Sequence, residues 1–401
     1  MKTLKKILAL ALAVVMLVGV ASFTACSAPN PAENNTKIKI GLTGPLTGGA
    51  AMYGNPVKIA AQIAVDEINA QGGLNGIEFE LSMHDDKHDP TLVPSFYADL
   101  YEKGMQVSLG TVTTAPGLNF KLLAKEDNVF FLTPSATGDG IPEFANGYQM
   151  CFADSNQGTV AAEFFNENYV GKKIGVFYKS DDPYSKGIRD NFVAGLADSF
   201  KAELTEAEFT GDGLVFGTQI NALKSCDIVF MPIYSTPATQ FMTQSKDIDN
   251  TMQVFYGCDG FDGIEAVENF DIASIKQEVS YLSHFNSNAT EGPAADFIAK
   301  YNAVPESANY PLNQFGAAAY DCVWAIYEAM KIAVADGKEI TATISASDLC
   351  EILKEVFNSD DFVFHGITGE CIGDAKSDIS WNEDGTVNKV AIKYVVKPYS
   401  A

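Results

Sequence analysis

The sequence predicts an α/β protein: two lobes, each a parallel sheet flanked by helices. Three observations carry that expectation. Short β-rich runs alternate with helical segments along most of the chain, and nearly every run empties into a loop of hydroxyl, Gly or Pro residues. At 401 residues and 47% hydrophobic content, the length also favours two cores over one.

The first segment stands apart from the lobes. "MKTLKKILALALAVVMLVGVASFTACS" opens on Lys2, Lys5 and Lys6, continues as an apolar run from Ile7 to Val20 and closes on Phe23-Thr24-Ala25-Cys26. This is the pattern of an export signal over residues 1–25. Its end resembles a bacterial lipoprotein box, in which Cys26 becomes the lipidated first residue and holds the protein to a membrane by acyl chains. An ordinary cleaved signal with an incidental cysteine is the alternative. Residues 26–37, with "SAPNPAENNTK", have the composition of a flexible tether.

"IKIGLTGPLTGGAAMYGN", Ile38 to Asn55, is a strand running into an uncharged loop of Gly and Thr that ends near Tyr53. Asn55-Pro56 then reads as a helix cap with proline at the first helical position, and "VKIAAQIAVDEINAQGG" carries an apolar stripe to Gly72-Gly73. "GIEFELSMHDD" alternates Ile77, Phe79, Leu81 and Met83 as a second strand, followed by a helix over "PSFYADLYEKG". "VSLGTVTT", "VFFLTPSAT", "KKIGVFYKSDDPYS", "CDIVFMPIYSTP" and "MQVFYGCDG" repeat the strand-then-loop pattern. Long helices are expected near 292–303 and 314–336. No mid-chain apolar run reaches the roughly 18 to 20 residues of a membrane-spanning helix. Parallel sheets gather ligands beyond the carboxyl ends of their strands, so the loops just quoted are the functional candidates.

Charge narrows the partners. With 27 basic and 51 acidic residues the formal charge is −24, and without the three signal lysines it is about −27. Nucleic acid is excluded, because phosphate binding needs a basic face. A zwitterion or a cation suits this field better than an anion. Six cysteines follow Cys26 (Cys151, Cys226, Cys258, Cys322, Cys350 and Cys371); they form no dense framework and no CxxC pair, and are expected to be buried free thiols.

Common catalytic signatures are missing. Gly44 and Gly49 have the outer spacing of a phosphate-binding loop, but Ala50 and Ala51 stand where Lys and a hydroxyl residue are needed. There are four histidines, no GxSxG elbow and no HExxH helix, so no enzyme, cofactor or metal is expected. "HDDKHDP", His84 to Pro90, reads as a solvated loop rather than a metal site.

The strand ends share neutral hydroxyls and aromatics, namely Tyr53, Thr113, Thr114, Ser135, Thr137, Tyr184 and Tyr234, with one acid, Asp259. Hydroxyls and helix-start N–H groups receive a carboxylate without a cation. An aspartate receives an ammonium, and tyrosines supply flat walls. The set suits a small zwitterion.

"IKIGLTGPLTGGAAMYGN", "AVDEINAQGGLNG", "DDKHDPT", "LTPSAT", "SNQG" and "YDCVWAIYEAMK" together resemble the branched-chain amino acid (Leu/Ile/Val) substrate-binding proteins of ABC importers, over residues 38 to about 398. That resemblance implies a type I periplasmic-binding fold, with two Rossmann-like lobes joined by three crossover strands and the ligand between them. The implied lobes are 38–154 with 286–386, and 155–285 with 387–401. Thr114 would bind the ligand carboxylate, Thr137 would hold ligand through its hydroxyl, and Ser135 would offer its carbonyl to the ammonium within the Ser135-Ala136-Thr137 contact segment. Tyr184, Tyr234 and Tyr53 would wall the pocket, and Asp259 would face the ammonium. Here "YS" replaces the family's "YG" beside Tyr184, and no cysteine in "MHDDKHD" or "GTVTT" matches the disulfide of some members. The implied function is an extracytoplasmic lipoprotein that captures an amino acid by lobe closure and delivers it to permease and ATPase subunits. A sensory module of the same fold is the alternative.

Overall fold

The computed structural model describes residues 30–369, 371 and 373–400, so the export signal and Cys26 lie outside the described residues. β1 (Ile38–Gly44), α1 (Ala51–Ala70), β2 (Phe79–Asp85), α2 (Val93–Glu102), β3 (Val107–Thr111), α3 (Thr114–Glu126), β4 (Phe131–Thr133) and β5 (Gly147–Gln149) build the first lobe. Its sheet has the order β2-β1-β3-β4-β5, and every pair is parallel. β1, β3 and β4 form because they are short apolar runs buried on both faces, as a helix-covered parallel sheet requires, whereas the edge strand β2 alternates and is only partly buried.

The second lobe follows with α4 (Asp154–Asn168), β6 (Ile174–Lys179), α5 (Pro183–Gly195), β7 (Thr205–Phe209), α6 (Gly217–Leu223), β8 (Ile228–Met231), α7 (Ser235–Ser245), β9 (Val254–Gly257) and β10 (Glu278–Ser283). The chain then returns to the first lobe through α8 (Gly292–Asn302), α9 (Gln314–Ala335), α10 (Ala346–Phe357) and the hairpin of β11 (Phe364–Gly366) with β12 (Ser377–Ile379). Finally β13 (Ile392–Lys397) crosses back to complete the order β13-β10-β9-β8-β6-β7. β13 runs antiparallel to β10 and departs from the all-parallel expectation.

The chain thus passes between the sheets after β5, after β10 and before β13, and a buried polar node ties these passages together. Lys389 Nζ donates to Met150 O at 2.7 Å and to the Thr368 hydroxyl, while Gly369 N donates to His284 O at 2.6 Å. Asp321 accepts from Ile367 N and Thr368 N, both at 2.9 Å. Burial pulls the Lys389 ammonium down to about 8, against the pull of Asp321. Cys151, Cys226, Cys258, Cys322 and Cys350 are buried free thiols, and Cys371 is partly buried.

Two local expectations are corrected. Helix α1 starts at Ala51 rather than at Pro56, which lies inside it. An internal proline leaves the carbonyl four residues back without its donor; here that carbonyl, Met52 O, accepts from Asn313 Nδ2 at 2.9 Å. Gly54 lets this turn close, since a Cβ there would meet Pro45 O at 2.0 Å. The expected tether is, from Asn30 onward, packed on the first lobe. Asn35 donates to Gly104 O at 2.8 Å and Gln106 Oε1 at 3.0 Å, and Ala32 is buried.

Candidate ligand site

The carboxyl ends of both sheets face one another, and helix starts converge there. Tyr53, in the first turn of α1, reaches across to the other lobe: its hydroxyl lies 2.6 Å from Gly260 O and from Ser235 Oγ, and accepts from Ser235 N at 2.9 Å. Thr236 Oγ1 donates to Gly49 O at 2.8 Å. The uncharged loop after β1 is therefore a closing edge, with no side-chain charge to desolvate when it meets α7.

One cavity between the lobes is lined by Tyr53, Thr113, Ser135, Thr137, Tyr184, Tyr234 and Asp259, with Val112, Gly260 and Phe315. Its volume is about 10 Å³, room for roughly one water. The gap is filled by rings: Tyr234 stacks on Tyr184 at 4.6 Å and lies 5.4 Å from Tyr53. In this arrangement the cavity has no room for an amino acid.

Asp259 follows β9 and is 2% exposed. Its Oδ1 accepts from the Tyr184 hydroxyl at 2.5 Å, and its N–H donates to Gln157 Oε1 at 2.9 Å. Burial pushes the carboxyl up to about 7, opposed by hydrogen bonds from Tyr184 and Gln157. Asp154, the first residue of α4, is as deeply buried, and its Oδ1 makes no hydrogen bond among the described residues. Burial holds it well above the usual carboxylate range; the Thr137 hydroxyl opposes this, and Asp259, Asp139 and Asp182 add to it. No Lys, Arg or His lines the cavity among the described residues. Asp259, desolvated in a cavity that no cation lines, is a receptor for positive charge, and Asp154 adds to the negative field around it.

At the other end stands the start of α3. Its N-cap, Thr113, leaves the helix uncapped by side chain, and Pro116 lacks an N–H, so the N–H groups of Thr114 and Ala115 head the helix. Such a start receives an anion through oriented donors and the helix dipole.

Of the residues expected at the site, Thr114 and Ala136 do not line the cavity. Thr114 Oγ1 is turned to Gly138 N at 3.3 Å. Ala136 has its N–H on Thr133 Oγ1 at 3.1 Å, and its carbonyl accepts from Gln149 Nε2 at 2.8 Å.

The model of a family described as periplasmic binding protein matches residues 37–361. The chain belongs to the periplasmic binding protein family. Among relatives of this periplasmic binding protein, the Leu/Ile/Val-binding protein BraC3 of Rhizobium johnstonii is 29% identical over 322 residues, covering 77% of this chain and 86% of the relative. Among solved structures, the branched-chain amino acid transporter substrate-binding protein LivJ of Streptococcus pneumoniae, in complex with isoleucine, superposes with a TM-score of 0.73. It is 25% identical, with 90% of this chain and 100% of that one covered. The leucine-binding protein LivK of Thermotoga maritima has the same fold, with a TM-score of 0.74 at 21% identity over 90% and 96% of the two chains.

Sequence reasoning missed four residues of this binding protein. Asp154 and Gln157 sit in "DSNQG", where an acid before a helix reads as ordinary N-terminal chemistry. His88 and Asp86 belong to the loop expected to be solvated; Asp86 is fully buried, and the His88 ring packs on Tyr234.

Proposed function

We propose that this binding protein captures an amino acid between its lobes and hands it to the membrane subunits of an ABC importer. One observation carries the reading: a cavity between the lobes, lined by no cation among the described residues, sets the buried acid Asp259 in one wall and Thr113, the residue before α3, in another. The ligand ammonium pairs with Asp259, within reach of the Ser135 carbonyl, while its carboxylate takes the N–H groups of α3 and the hydroxyl of Thr137. Tyr53, Tyr184 and Tyr234 cover its faces. The names of the relatives favour leucine, isoleucine and valine. Each lobe holds part of the site, so ligand contacts are complete only on closure and shift the population toward it. The lipoprotein signal makes Cys26 the membrane anchor and the cell exterior or periplasm the working place.

A thermal-shift screen against the twenty amino acids tests the reading. Stabilisation by a branched-chain amino acid, growing with the logarithm of its concentration, is expected. A flat response to all twenty contradicts it.

A further inference from the structure

The "HDDKHDP" loop holds a costly shape. Lys87 and His88, adjacent and neither a glycine, both sit in the left-handed region, at φ 56° and 63°. Side chains keep that conformation only where the surroundings enforce it. Here Asp85 Oδ1 accepts from Lys87 N at 3.1 Å, and Asp86 Oδ1 accepts from His88 N at 2.9 Å.

What the loop places is the His88 ring. Nδ1 lies 2.9 Å from Thr113 Oγ1. The ring also meets Tyr234 of the opposite lobe nearly at right angles, 5.1 Å between centres. Lys179, Asp212 and Asp89 face it; burial and Lys179 hold it below the usual histidine range.

Thr113 is the N-cap of α3, yet its hydroxyl makes no capping bond. A threonine at this position ordinarily turns its oxygen to the second or third N–H of its own helix. The third residue is Pro116, so the N–H within reach is that of Ala115. The hydroxyl is engaged by His88 instead, and the Ala115 N–H takes no bond from it.

We propose that His88 is a positioning residue of the ligand site: by engaging the Thr113 hydroxyl it keeps the start of α3 uncapped for the ligand carboxylate, and its ring engages Tyr234 when the lobes close. This rests on the reading of the cleft as an amino-acid site. His88 is not among the residues that line the cavity. It acts through Thr113, and its loop is strained because the ring has to be delivered to that point.

The test is calorimetry with L-leucine and with L-leucinamide, which keeps the ammonium and side chain but lacks the carboxylate. In His88→Ala the leucine affinity falls about five- to tenfold, the scale of one helix cap, while leucinamide changes by less than about twofold. Adding Thr113→Val, which removes the competing hydroxyl, brings the double variant to the leucine affinity of Thr113→Val alone. His88→Phe retains a ring against Tyr234 while losing the Thr113 partner, and shows the same selective loss should the alanine variant fail to fold. Equal weakening of leucine and leucinamide, or a His88→Ala loss that persists in the Thr113→Val background, overturns the proposal. A wild-type protein that binds none of leucine, isoleucine and valine overturns the amino-acid reading itself, a separate outcome.

Discussion

Replacing Asp259 by asparagine keeps the shape of the cleft and removes its paired charge. In the closed form burial lifts this carboxyl from its ordinary 3.8 to about 7. At pH 8 that rise corresponds to about 4 kcal/mol for burying the ionised group, a cost the ligand ammonium offsets. Breaking a buried charge pair from one side costs roughly 3 kcal/mol or more, so the dissociation constant should rise by at least about 150-fold. Asparagine also escapes the desolvation cost, so the ligand-free variant should close more readily than the wild type. Calorimetry with the most stabilising amino acid measures the first effect, and the radius of gyration from small-angle scattering measures the second. An affinity within about threefold of wild type at pH 8 would refute the pairing of ammonium with Asp259.

Other outcomes follow from the same geometry. Tyr184→Phe removes the hydroxyl that donates to Asp259 at 2.5 Å and accepts from Gly260 N at 2.9 Å; ligand affinity should fall by roughly tenfold or more, as for a hydrogen bond to a charged group, and calorimetry reads it. The pH response of the ligand-free protein has a fixed sign. A carboxyl near 3.8 in the open, hydrated cleft and near 7 in the closed one favours closure at low pH, and that preference is lost as pH rises from about 4 to 7. Asp154 acts in the same direction, so the radius of gyration should be larger at pH 8 than at pH 5. Gly54→Ala puts a methyl group 2.0 Å from Pro45 O; the melting temperature should drop by an amount matching roughly 1–3 kcal/mol, read by circular dichroism.

The sheets were legible because parallel strands buried on both faces are continuous apolar runs, and "KKIGVFYK" or "CDIVFM" announces itself that way. β7, with its exposed Glu206, and the three-residue β5 carry too little signal to be seen alone. The start of α1 was misread because a proline after Asn55 looks like a helix beginning; what permits Pro56 inside is Asn313, 261 positions beyond the carbonyl it satisfies. Long-range satisfaction of that kind leaves no local trace. Tyr53, Tyr184, Tyr234, Thr113, Ser135, Thr137 and Asp259 line one cavity because strand-end loops converge by topology. Ala136 was not separable from its neighbours, since its place outside the cavity lining goes with contacts to Gln149 and Thr133. Asp154 and His88 were hidden for a related reason: one looks like a helix cap, the other like a loop residue, and their surroundings, Asp259 for one and Thr113 and Tyr234 for the other, come from distant parts of the chain.

The most direct test of the account is a crystal structure of the complex with the amino acid that stabilises the protein most. The account predicts density between the two sheets, with the ligand nitrogen in hydrogen-bonding distance of the Asp259 carboxylate and its carboxylate at the start of α3. A ligand bound outside the cleft, or one whose amine points away from Asp259, would contradict it.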